Sequence, residues 1–332
     1  MIADRIKMLR GANPKKSSTH YVRCFTERDV LDGKVVDTLV IILRTRGCKW
    51  ALQSGCSMCG YINEAAQVDV SDENLLLQVE GAMRNYRNEK IVKIYTSGSF
   101  LDTDEISENA QTKILEFVSR AEKVVIESRP EFVNKEHLSK LIKKCNLEIA
   151  LGLESSNPLI LEKSINKGLK LEDYVRAAKI INELGIKLRT YILIKPPFIT
   201  EEEAIVDAVN SAKFASKYSQ TLSFNPVNIQ KNTLVEYLWK RKEYRPPWLW
   251  SVLEVLKESK TEVKGWLICS PTGGGSARGA HNCGKCDSAI LRATREFSLT
   301  QNTNVFDNLS CDCKQRWLDM LELEGFAQGP II

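Results

Sequence analysis

The sequence predicts an α/β fold, a partial (β/α)6, TIM-like barrel with a small C-terminal extension. Three observations lead to this prediction. Short β-branched runs alternate with segments of helical periodicity between residues 38 and 227. Residues that are polar or contain glycine or proline follow each of these runs, as expected of the working rim of a barrel. After Val227 the alternation stops, and a basic, tryptophan-rich stretch leads through a glycine-rich loop to a group of cysteines.

Six short apolar runs are the predicted strands, and they are Thr38–Leu43, Ile91–Thr96, Lys123–Ser128, Leu147–Leu153, Leu188–Ile194 and Thr221–Val227. Amphipathic segments between them are the predicted helices, and they are Ser71–Asn88, Ser107–Arg120, Asn134–Lys144, Leu171–Leu184 and Thr200–Tyr218. Right-handed crossovers between parallel strands place the helices outside and curl the sheet toward a barrel. Beyond the barrel we expect a helix from about Pro247 to Ser259 and a candidate strand within residues 265–270.

Composition excludes several classes of protein. With 43% hydrophobic and 27% charged residues, the 332-residue chain is neither disordered nor fibrous. The net charge of +5 permits a polyanionic partner without requiring one. The N-terminus carries charges where a secretory signal would be apolar, and the longest apolar stretch of a predicted element, Leu39–Leu43, is too short for a membrane span. We therefore expect a soluble, cytoplasmic protein with no membrane contact.

Three regions follow from this pattern. Residues 1–35 form an N-terminal basic segment, which is either a basic arm or a solvated face, residues 36–231 form the barrel, and residues 232–332 form a C-terminal domain. The basic residues of the first region are Arg5, Lys7, Arg10, Lys15, Lys16, Arg23, Arg28 and Lys34.

A loop directly after the first predicted strand carries three cysteines. Its sequence is RTRGCKWALQSGCSMCGY, with Cys48, Cys56 and Cys59. Three thiolates at one strand end can bind three corners of a 4Fe-4S cluster and leave one iron open. A zinc site would require a fourth ligand, and the loop contains no histidine. The alternative is three unrelated cysteines in a surface loop.

This loop resembles the cysteine signature of the radical SAM superfamily. That signature has three residues between the first two cysteines, whereas this chain has seven, and the elongator-like branch of the superfamily also has a longer gap. The resemblance implies that the open iron chelates S-adenosylmethionine through its amino and carboxylate groups. Reductive cleavage of the sulfonium then yields methionine and a 5′-deoxyadenosyl radical.

Three further rim motifs resemble S-adenosylmethionine-binding segments of the same superfamily. They are YTSGSFLD, ESRPE and GLES. The resemblance assigns cofactor binding to Ser97, Gly98, Ser99, Glu127, Arg129, Glu154 and Ser155. Carboxylates at these positions suit an ammonium or ribose hydroxyl, and an arginine suits a carboxylate. Glu127 or Arg129 could equally belong to a structural ion pair in the barrel mouth.

Long segments, among them the three-cysteine loop, LIKPPF and EYRPPWLW, resemble the archaeosine-forming radical SAM family (RaSEA) from about Arg44 to the C-terminus. The resemblance implies a lyase that acts on tRNA. A partner synthase subunit first adds lysine to 7-cyano-7-deazaguanine in the D-loop. The radical enzyme, supplied by an electron donor, then removes a hydrogen from the lysine side chain and cleaves its carbon–nitrogen bond, leaving archaeosine.

The stretch Lys231–Trp250 is the candidate RNA-contacting region because cationic side chains meet phosphates and aromatic rings stack on exposed bases. Its basic and aromatic residues are Lys231, Lys240, Arg241, Lys242, Arg245, Trp239, Tyr244, Trp248 and Trp250. The alternative for the tryptophans is packing between the barrel and the C-terminal domain. The residues after the sixth strand, Asn225, Asn228, Gln230 and Lys231, are candidate substrate contacts.

A second cysteine group consists of Cys283, Cys286, Cys311 and Cys313 in two short pairs separated by 24 residues. Tetrahedral, structural zinc is the simplest occupant of four thiolates. An auxiliary iron–sulfur cluster is the rival, because the same ligands suit both. Cys269 and His281 are spare candidate ligands.

Two other functions fit parts of this pattern. One is a different radical SAM reaction on RNA, such as methylthiolation or acetyl transfer. The other is a non-catalytic, zinc-containing RNA-binding protein, against which the barrel and the first cysteine loop argue.

Overall fold

The structure, a computed structural model, describes residues 2–11 and 16–328. Lys15 of the predicted basic segment lies outside the described residues. Among the described helices, none has the length and apolar character that a membrane span requires.

Eight strands form one sheet in sequential order, with the first pair antiparallel and all later pairs parallel. The strands are β1 Arg23–Leu31, β2 Lys34–Ile42, β3 Ile91–Tyr95, β4 Lys123–Ser128, β5 Leu147–Glu154, β6 Lys187–Ile194, β7 Thr221–Pro226 and β8 Trp266–Cys269. The six predicted strands correspond to β2–β7, and the candidate strand within residues 265–270 is β8. The predicted α/β partial barrel is therefore confirmed.

Strand β1 is an element that the sequence analysis missed. It pairs with β2 along its whole length, from Arg23 opposite Ile42 to Leu31 opposite Lys34. Asp32 and Gly33 join the two strands with φ of 48° and 77°, the conformation of a tight two-residue hairpin turn. Part of the predicted N-terminal basic segment therefore forms one edge of the sheet.

Eleven α-helices are present in the described chain, and they are α1 Ile2–Arg10, α2 Lys49–Gln53, α3 Asp72–Met83, α4 Glu108–Val118, α5 Lys135–Leu141, α6 Leu171–Glu183, α7 Glu201–Ala215, α8 Leu234–Lys240, α9 Leu249–Glu262, α10 Asp287–Thr300 and α11 Cys313–Gln328. The predicted helices of the barrel correspond to α3–α7. Hydroxyl or amide side chains cap four of these helices: Ser71, Ser107, Asn134 and Thr200 each accept a backbone N–H of the first turn.

Ion pairs on the inner face of the sheet show that it is curled. They lie near the amino-terminal ends of the parallel strands. Arg189 of β6 contacts Asp29 of β1 at 3.1 Å (Nη2 to Oδ2) and Glu148 of β5 at 2.6 Å (Nε to Oε1). Lys93 of β3 contacts Asp29 at 2.7 Å, and Lys123 of β4 contacts Glu148 at 2.7 Å. Strands β1 and β6 are not neighbours in the sheet, so only a curled sheet brings these groups together. The network lies near the amino-terminal ends of β3–β6, opposite the mouth that the carboxyl ends of the parallel strands form.

The C-terminal extension shares its apolar core with the outer layer of the barrel. Buried residues of α9, α10 and α11, including Leu256, Phe297 and Trp317, belong to the same cluster as Leu39 and Ile94 of the sheet. Helix α9 packs against α7, and α10 packs against β8. The extension is thus fixed to the barrel rather than hinged on it.

Candidate active site at the barrel mouth

The three-cysteine loop lies over the carboxyl ends of the strands, and glycines shape it. Gly47 and Gly55 have φ of 98° and 94°. A Cβ at Gly47 would lie 2.6 Å from the Ile62 side chain, and one at Gly55 would lie 1.7 Å from Nη2 of Arg10. Side chains therefore do not fit at either position, and the loop folds tightly around α2.

Two neighbouring rim segments hold this loop in position. The Trp50 indole donates to the Asn166 carbonyl oxygen at 2.8 Å, and the Asn166 amide donates to the Gly55 carbonyl oxygen at 2.7 Å. On the other side, the backbone N–H of Gly60 donates to Oε1 of Gln230 at 2.6 Å. These contacts join the loop to the segments after β5 and β7, which fixes the half-buried thiols of the loop.

Positive side chains surround the three thiols. The Arg10 guanidinium interacts electrostatically with Cys48, Cys56 and Cys59. Arg129 interacts with Cys56 and Cys48, and Lys167 interacts with Cys56. Nη2 of Arg10 is buried and has no hydrogen-bond partner within the described chain. Three thiols beside cations and an unpaired donor fit an anionic, sulfur-rich cluster, because nearby positive charge favours thiolates.

The segment after β3 is folded around a buried carboxyl group that the sequence analysis missed. Glu105 accepts the backbone N–H of Ser99 at 2.7 Å and the Thr45 hydroxyl. A Cβ at Gly98 would lie 2.0 Å from Oε2 of Glu105, so the glycine allows this approach. Burial raises the pKa of Glu105 to about 7. Gly98 thus lies at the rim with Glu105 behind it, while Ser97 and Ser99 on either side of it are buried.

Glu127 and Arg129, both predicted cofactor contacts, have different surroundings. The Glu127 carboxylate accepts the Thr96 backbone N–H at 3.1 Å. Burial and then the nearby charges of Glu105 and Glu154 raise the pKa of Glu127 to about 8. The Arg129 guanidinium pairs with Glu131 at 2.5 Å and donates to the Lys167 carbonyl oxygen at 3.0 Å. Arg129 is thus held in an ion pair beside the thiols, whereas Glu127 offers a carboxyl group that favours a cation.

The end of β5 contributes one residue to this site and one behind it. Glu154 has φ of 69° and pairs with Lys167 at 2.8 Å. Burial opposes the charge of Lys167, but Glu154 and Cys56 together raise its pKa. Ser155 is fully buried and donates to Oδ1 of Asp207 at 2.7 Å, so its hydroxyl is directed at α7.

The predicted substrate contacts at the end of β7 and directly after it form part of the rim. The Asn225 amide donates to the Ser223 carbonyl oxygen at 3.2 Å, and the Gln230 amide donates to Oδ1 of Asn228 at 3.2 Å. Gln230 also holds the cysteine loop through Gly60, as described above. Lys231 is exposed, and its carbonyl oxygen accepts an N–H of the Asn63 side-chain amide at 2.8 Å.

Three residues at this mouth were not singled out by the sequence analysis as site residues: Arg10, Glu105 and Lys167. Each is a common charged residue in a segment without a recognised motif, so sequence spacing gives no local signal for it. Glu105 follows SGSF by five residues, and that proximity is the one signal that could have found it.

The second cysteine group forms a compact cluster at the start of α10 and α11. The four Sγ atoms of Cys283, Cys286, Cys311 and Cys313 all lie within 4.8 Å of one another. The Sγ atoms of Cys283 and Cys311 are 3.6 Å apart, and those of Cys286 and Cys313 are also 3.6 Å apart. This group could bind a metal ion. The spare candidates Cys269 and His281 are not members of it.

The basic and aromatic stretch divides into a buried and an exposed part. Trp250 and Tyr244 are buried, with the Trp250 indole donating to Cys313 Sγ at 3.4 Å and the Tyr244 hydroxyl donating to the Lys195 carbonyl oxygen at 2.6 Å. Their rings are therefore packed inside the protein. Lys240, Arg241 and Lys242 are exposed at the end of α8.

Comparison with known proteins shows the family to which this chain belongs. The profile described as the Radical SAM superfamily matches residues 42–209. The archaeosine synthase subunit beta of Methanosarcina acetivorans is 40% identical over 320 residues, which cover 93% of this chain and 92% of that protein. The protein of the same name from Thermococcus kodakarensis is 39% identical over 310 residues, covering 90% of this chain and 96% of that protein.

One solved structure of low sequence identity agrees in fold, and one weaker sequence match covers part of the chain. A radical SAM methyltransferase structure from Sphaerobacter thermophilus superposes with a TM-score of 0.53 at 13% identity, over 75% of this chain and 76% of that chain. A tRNA uridine(34) acetyltransferase of Methanocaldococcus infernus, an elongator-type protein, is 21% identical over 148 residues, covering 44% of this chain and 27% of that protein. The elongator-like relation is thus distant.

Proposed function

Because this chain belongs to the radical SAM superfamily and, within it, to the archaeosine synthase subunit beta family, we propose that it completes archaeosine in tRNA. The proposed substrate is the lysine-modified 7-cyano-7-deazaguanine of the D-loop, and the proposed reaction is cleavage of the lysine carbon–nitrogen bond. The observation that carries this proposal is the three-cysteine loop, fixed by two rim segments over the barrel mouth.

Cys48, Cys56 and Cys59 would hold a 4Fe-4S cluster, and three ligands leave one iron free for S-adenosylmethionine. When bound, the cluster and S-adenosylmethionine supply a primary carbon radical that can abstract hydrogen from an unactivated side chain. The chain itself contributes charge: carboxyl groups of Glu127 and Glu154 attract the ammonium and ribose hydroxyls of the cofactor. The backbone of Ser97, Gly98 and Ser99, which is supported by Glu105, forms the adjoining wall.

Other rim residues position these groups or meet the substrate. Arg129 and Ser155 act through their partners, the exposed Glu131 and the buried Asp207, by fixing the ends of β4 and β5. Asn225, Asn228, Gln230 and Lys231 border the side where the modified base enters. A radical must be kept from solvent, and the hydrogen bonds from Trp50 and Gly60 hold the loop as a cover for that purpose.

We infer that the second cysteine group holds structural zinc. Zinc–thiolate bonds of about 2.3 Å put tetrahedral sulfur atoms about 3.8 Å apart, close to the 3.6 Å between the paired sulfurs. A cube of four irons separates its thiolates further, because each thiolate binds a different iron. Amide and indole N–H groups of Asn282 and Trp250 donate to Cys286 and Cys313, as outer ligands do around metals.

The proposed partners are tRNA, a lysine-transferring synthase subunit and an electron donor, and the proposed location is the cytoplasm. The exposed residues Lys240, Arg241 and Lys242 supply cationic charge for the RNA backbone. The target base must leave the folded RNA to enter the barrel, as in other base-modifying enzymes. We propose that residues 232–332 form the RNA-facing domain on this basis.

The proposal is tested by anaerobic incubation with S-adenosylmethionine, a low-potential reductant and lysine-modified tRNA. We expect 5′-deoxyadenosine and archaeosine in the nucleoside digest, and we expect both to be lost in Cys56→Ala. The matched control is Cys145→Ala, since Cys145 packs against the core away from the mouth. Formation of 5′-deoxyadenosine with the lysine left intact would contradict the proposed reaction and favour another radical SAM reaction. The absence of 5′-deoxyadenosine would contradict the enzymatic proposal altogether.

A further inference from the structure

We propose that Arg10, carried to the three-cysteine loop by α1, donates a hydrogen bond from Nη2 to the iron–sulfur cluster and raises its reduction potential. This inference rests on the proposed function, because it concerns the cluster of the same site. It assigns a role to a residue of the N-terminal basic segment, 38 positions before Cys48.

Helix α1 is anchored so that its last residue reaches the loop. Ile6 in the middle of the helix is 2% exposed. The Arg5 guanidinium lies 4.4 Å from the centre of the Tyr237 ring on α8, and α1 packs against α8. A buried apolar contact and a cation–π contact therefore fix the helix against the element that follows β7. Arg10 at its C-terminal end is thereby directed at the cysteine loop.

The loop itself is shaped to receive this guanidinium. Gly55, between Cys48 and Cys56, is the residue against which Arg10 lies, and a Cβ there would overlap Nη2. Glycine at this position thus opens a path from α1 to the thiols. The charge of Arg10 interacts with all three cysteines, with Cys59 contributing most. Lys167 interacts with Cys56 and Cys59, and Arg129 interacts with Cys56 and Cys48.

The terminal nitrogen of Arg10 is the detail that points to a ligand. Nη2 is buried and has no hydrogen-bond partner in the described residues. A buried guanidinium N–H without an acceptor is strongly unfavourable, so native proteins rarely leave one unpaired. A cluster on Cys48, Cys56 and Cys59 brings sulfur acceptors and negative charge to this nitrogen. The unpaired atom is therefore explained when the cluster is bound.

A cation and a hydrogen bond at the cluster have a predictable effect on its redox chemistry. Reduction adds one negative charge, and a nearby positive charge stabilises the reduced form more than the oxidised form. Cluster potentials depend on net charge, hydrogen bonds to sulfur and solvent exposure. Arg10 acts through the first two of these, and both its positive charge and its hydrogen bond favour the reduced cluster. Removal of its charge should make the cluster harder to reduce.

The test is a redox titration of the reconstituted, full-length protein followed by electron paramagnetic resonance, with iron content measured in parallel. In Arg10→Gln we expect the ratio of reduced to oxidised cluster at a fixed potential to fall about tenfold, a shift of ~59 mV for one electron. The matched control is Lys7→Gln, because Lys7 is an exposed cation on the same helix. That variant should retain the wild-type potential.

The possible outcomes separate this inference from the proposed function. An iron-loaded Arg10→Gln variant with the wild-type potential overturns the inference and leaves the proposed function intact, as does an equal shift in Lys7→Gln. Wild-type protein that binds no iron overturns both. If Arg10→Gln does not fold or loses its iron, Arg10→Met decides, since methionine is a flexible side chain that fills irregular gaps but has neither the charge nor the N–H donor. A potential below wild type in that variant supports the inference, and an unchanged potential overturns it.

Discussion

Wild-type protein should lose stability as the pH rises because of Asp207, and Asp207→Asn should abolish that loss. Burial raises the pKa of Asp207 to about 6, although the Ser155 hydroxyl opposes this shift by donating to Oδ1. The second carboxyl oxygen, Oδ2, is buried without a hydrogen-bond partner among the described residues. The folded state thus binds the proton more tightly than the unfolded state, whose reference pKa is 3.8. The stability from this group is complete below the unfolded pKa and is lost as the pH rises through the folded pKa.

The size of the effect follows from the two pKa values. A shift of about two units corresponds to about 3 kcal/mol in total, and about 1.4 kcal/mol of that falls between pH 5 and pH 8. An asparagine does not ionise, so its variant should gain about 1.4 kcal/mol relative to wild type over this range. A constant offset from burying the amide does not alter this difference, because it is the same at every pH.

The assay is urea unfolding of the metal-loaded protein at pH 5, 6, 7 and 8. The control is Glu202→Gln, which removes an exposed carboxylate from the same helix and should follow the wild-type pH dependence. Groups common to all three proteins cancel in the comparison. Parallel stability curves for Asp207→Asn and wild type would refute the reasoning.

Three other predictions concern the ion pairs at the amino-terminal end of the barrel, the rim and the C-terminal extension. Arg189→Ala should lower the free energy of unfolding by about 3–5 kcal/mol, because it leaves Asp29 and Glu148 buried without this partner; in urea unfolding, a loss no larger than that of the exposed Arg84→Ala would contradict it. Gly98→Ala should weaken S-adenosylmethionine binding in anaerobic equilibrium dialysis, since its methyl group meets the Glu105 carboxylate; unchanged affinity would show that the Ser97–Ser99 segment does not form the cofactor wall. Cys286→Ser should remove about one zinc per chain and lower the melting temperature more than Cys269→Ser does; an unchanged zinc content, or iron in place of zinc, would refute the tetrahedral zinc site.

The sequence predicted the barrel because its strands are continuous apolar runs and its helices are amphipathic, so periodicity distinguishes them directly. The boundaries of β4 agree with the prediction at both ends, Lys123 and Ser128. The sequence analysis missed strand β1 because charged residues, including Arg28 and Asp29, interrupt its apolar pattern. Asp29 is inside the barrel, where Lys93 and Arg189 neutralise it. A strand whose inward side chains are charged does not have the pattern on which strand prediction depends.

The site was predictable only where chemistry imposes a spacing. Four clustered thiols at the second cysteine group follow from two short pairs, and three thiols in one loop follow from a single motif. Glu105, Lys167 and Arg10 reach the mouth from separate segments, so only the tertiary structure shows that they belong to the site. The same is true of the contact between Gln230 and Gly60. The Trp250 indole packs onto Cys313, so this ring stabilises the extension. Composition alone left open whether the ring packs there or contacts RNA.

The distribution of charge along the barrel axis explains why one end alone suits chemistry. At the amino-terminal end of the barrel, Lys93, Lys123 and Arg189 pair with Asp29, Glu148 or both, so each of these charges has a partner of opposite sign. At the mouth, Arg129 and Lys167 pair with Glu131 and Glu154, whereas Glu105 and Glu127 form no ion pair among the described residues. Burial raises the pKa of Glu105 to about 7 and that of Glu127 to about 8, while Nη2 of Arg10 lies beside the thiols without a hydrogen-bond partner in the described residues. Such incomplete pairing is unfavourable in the isolated chain, and ligands that carry both a cation and an anionic cluster relieve it at both places.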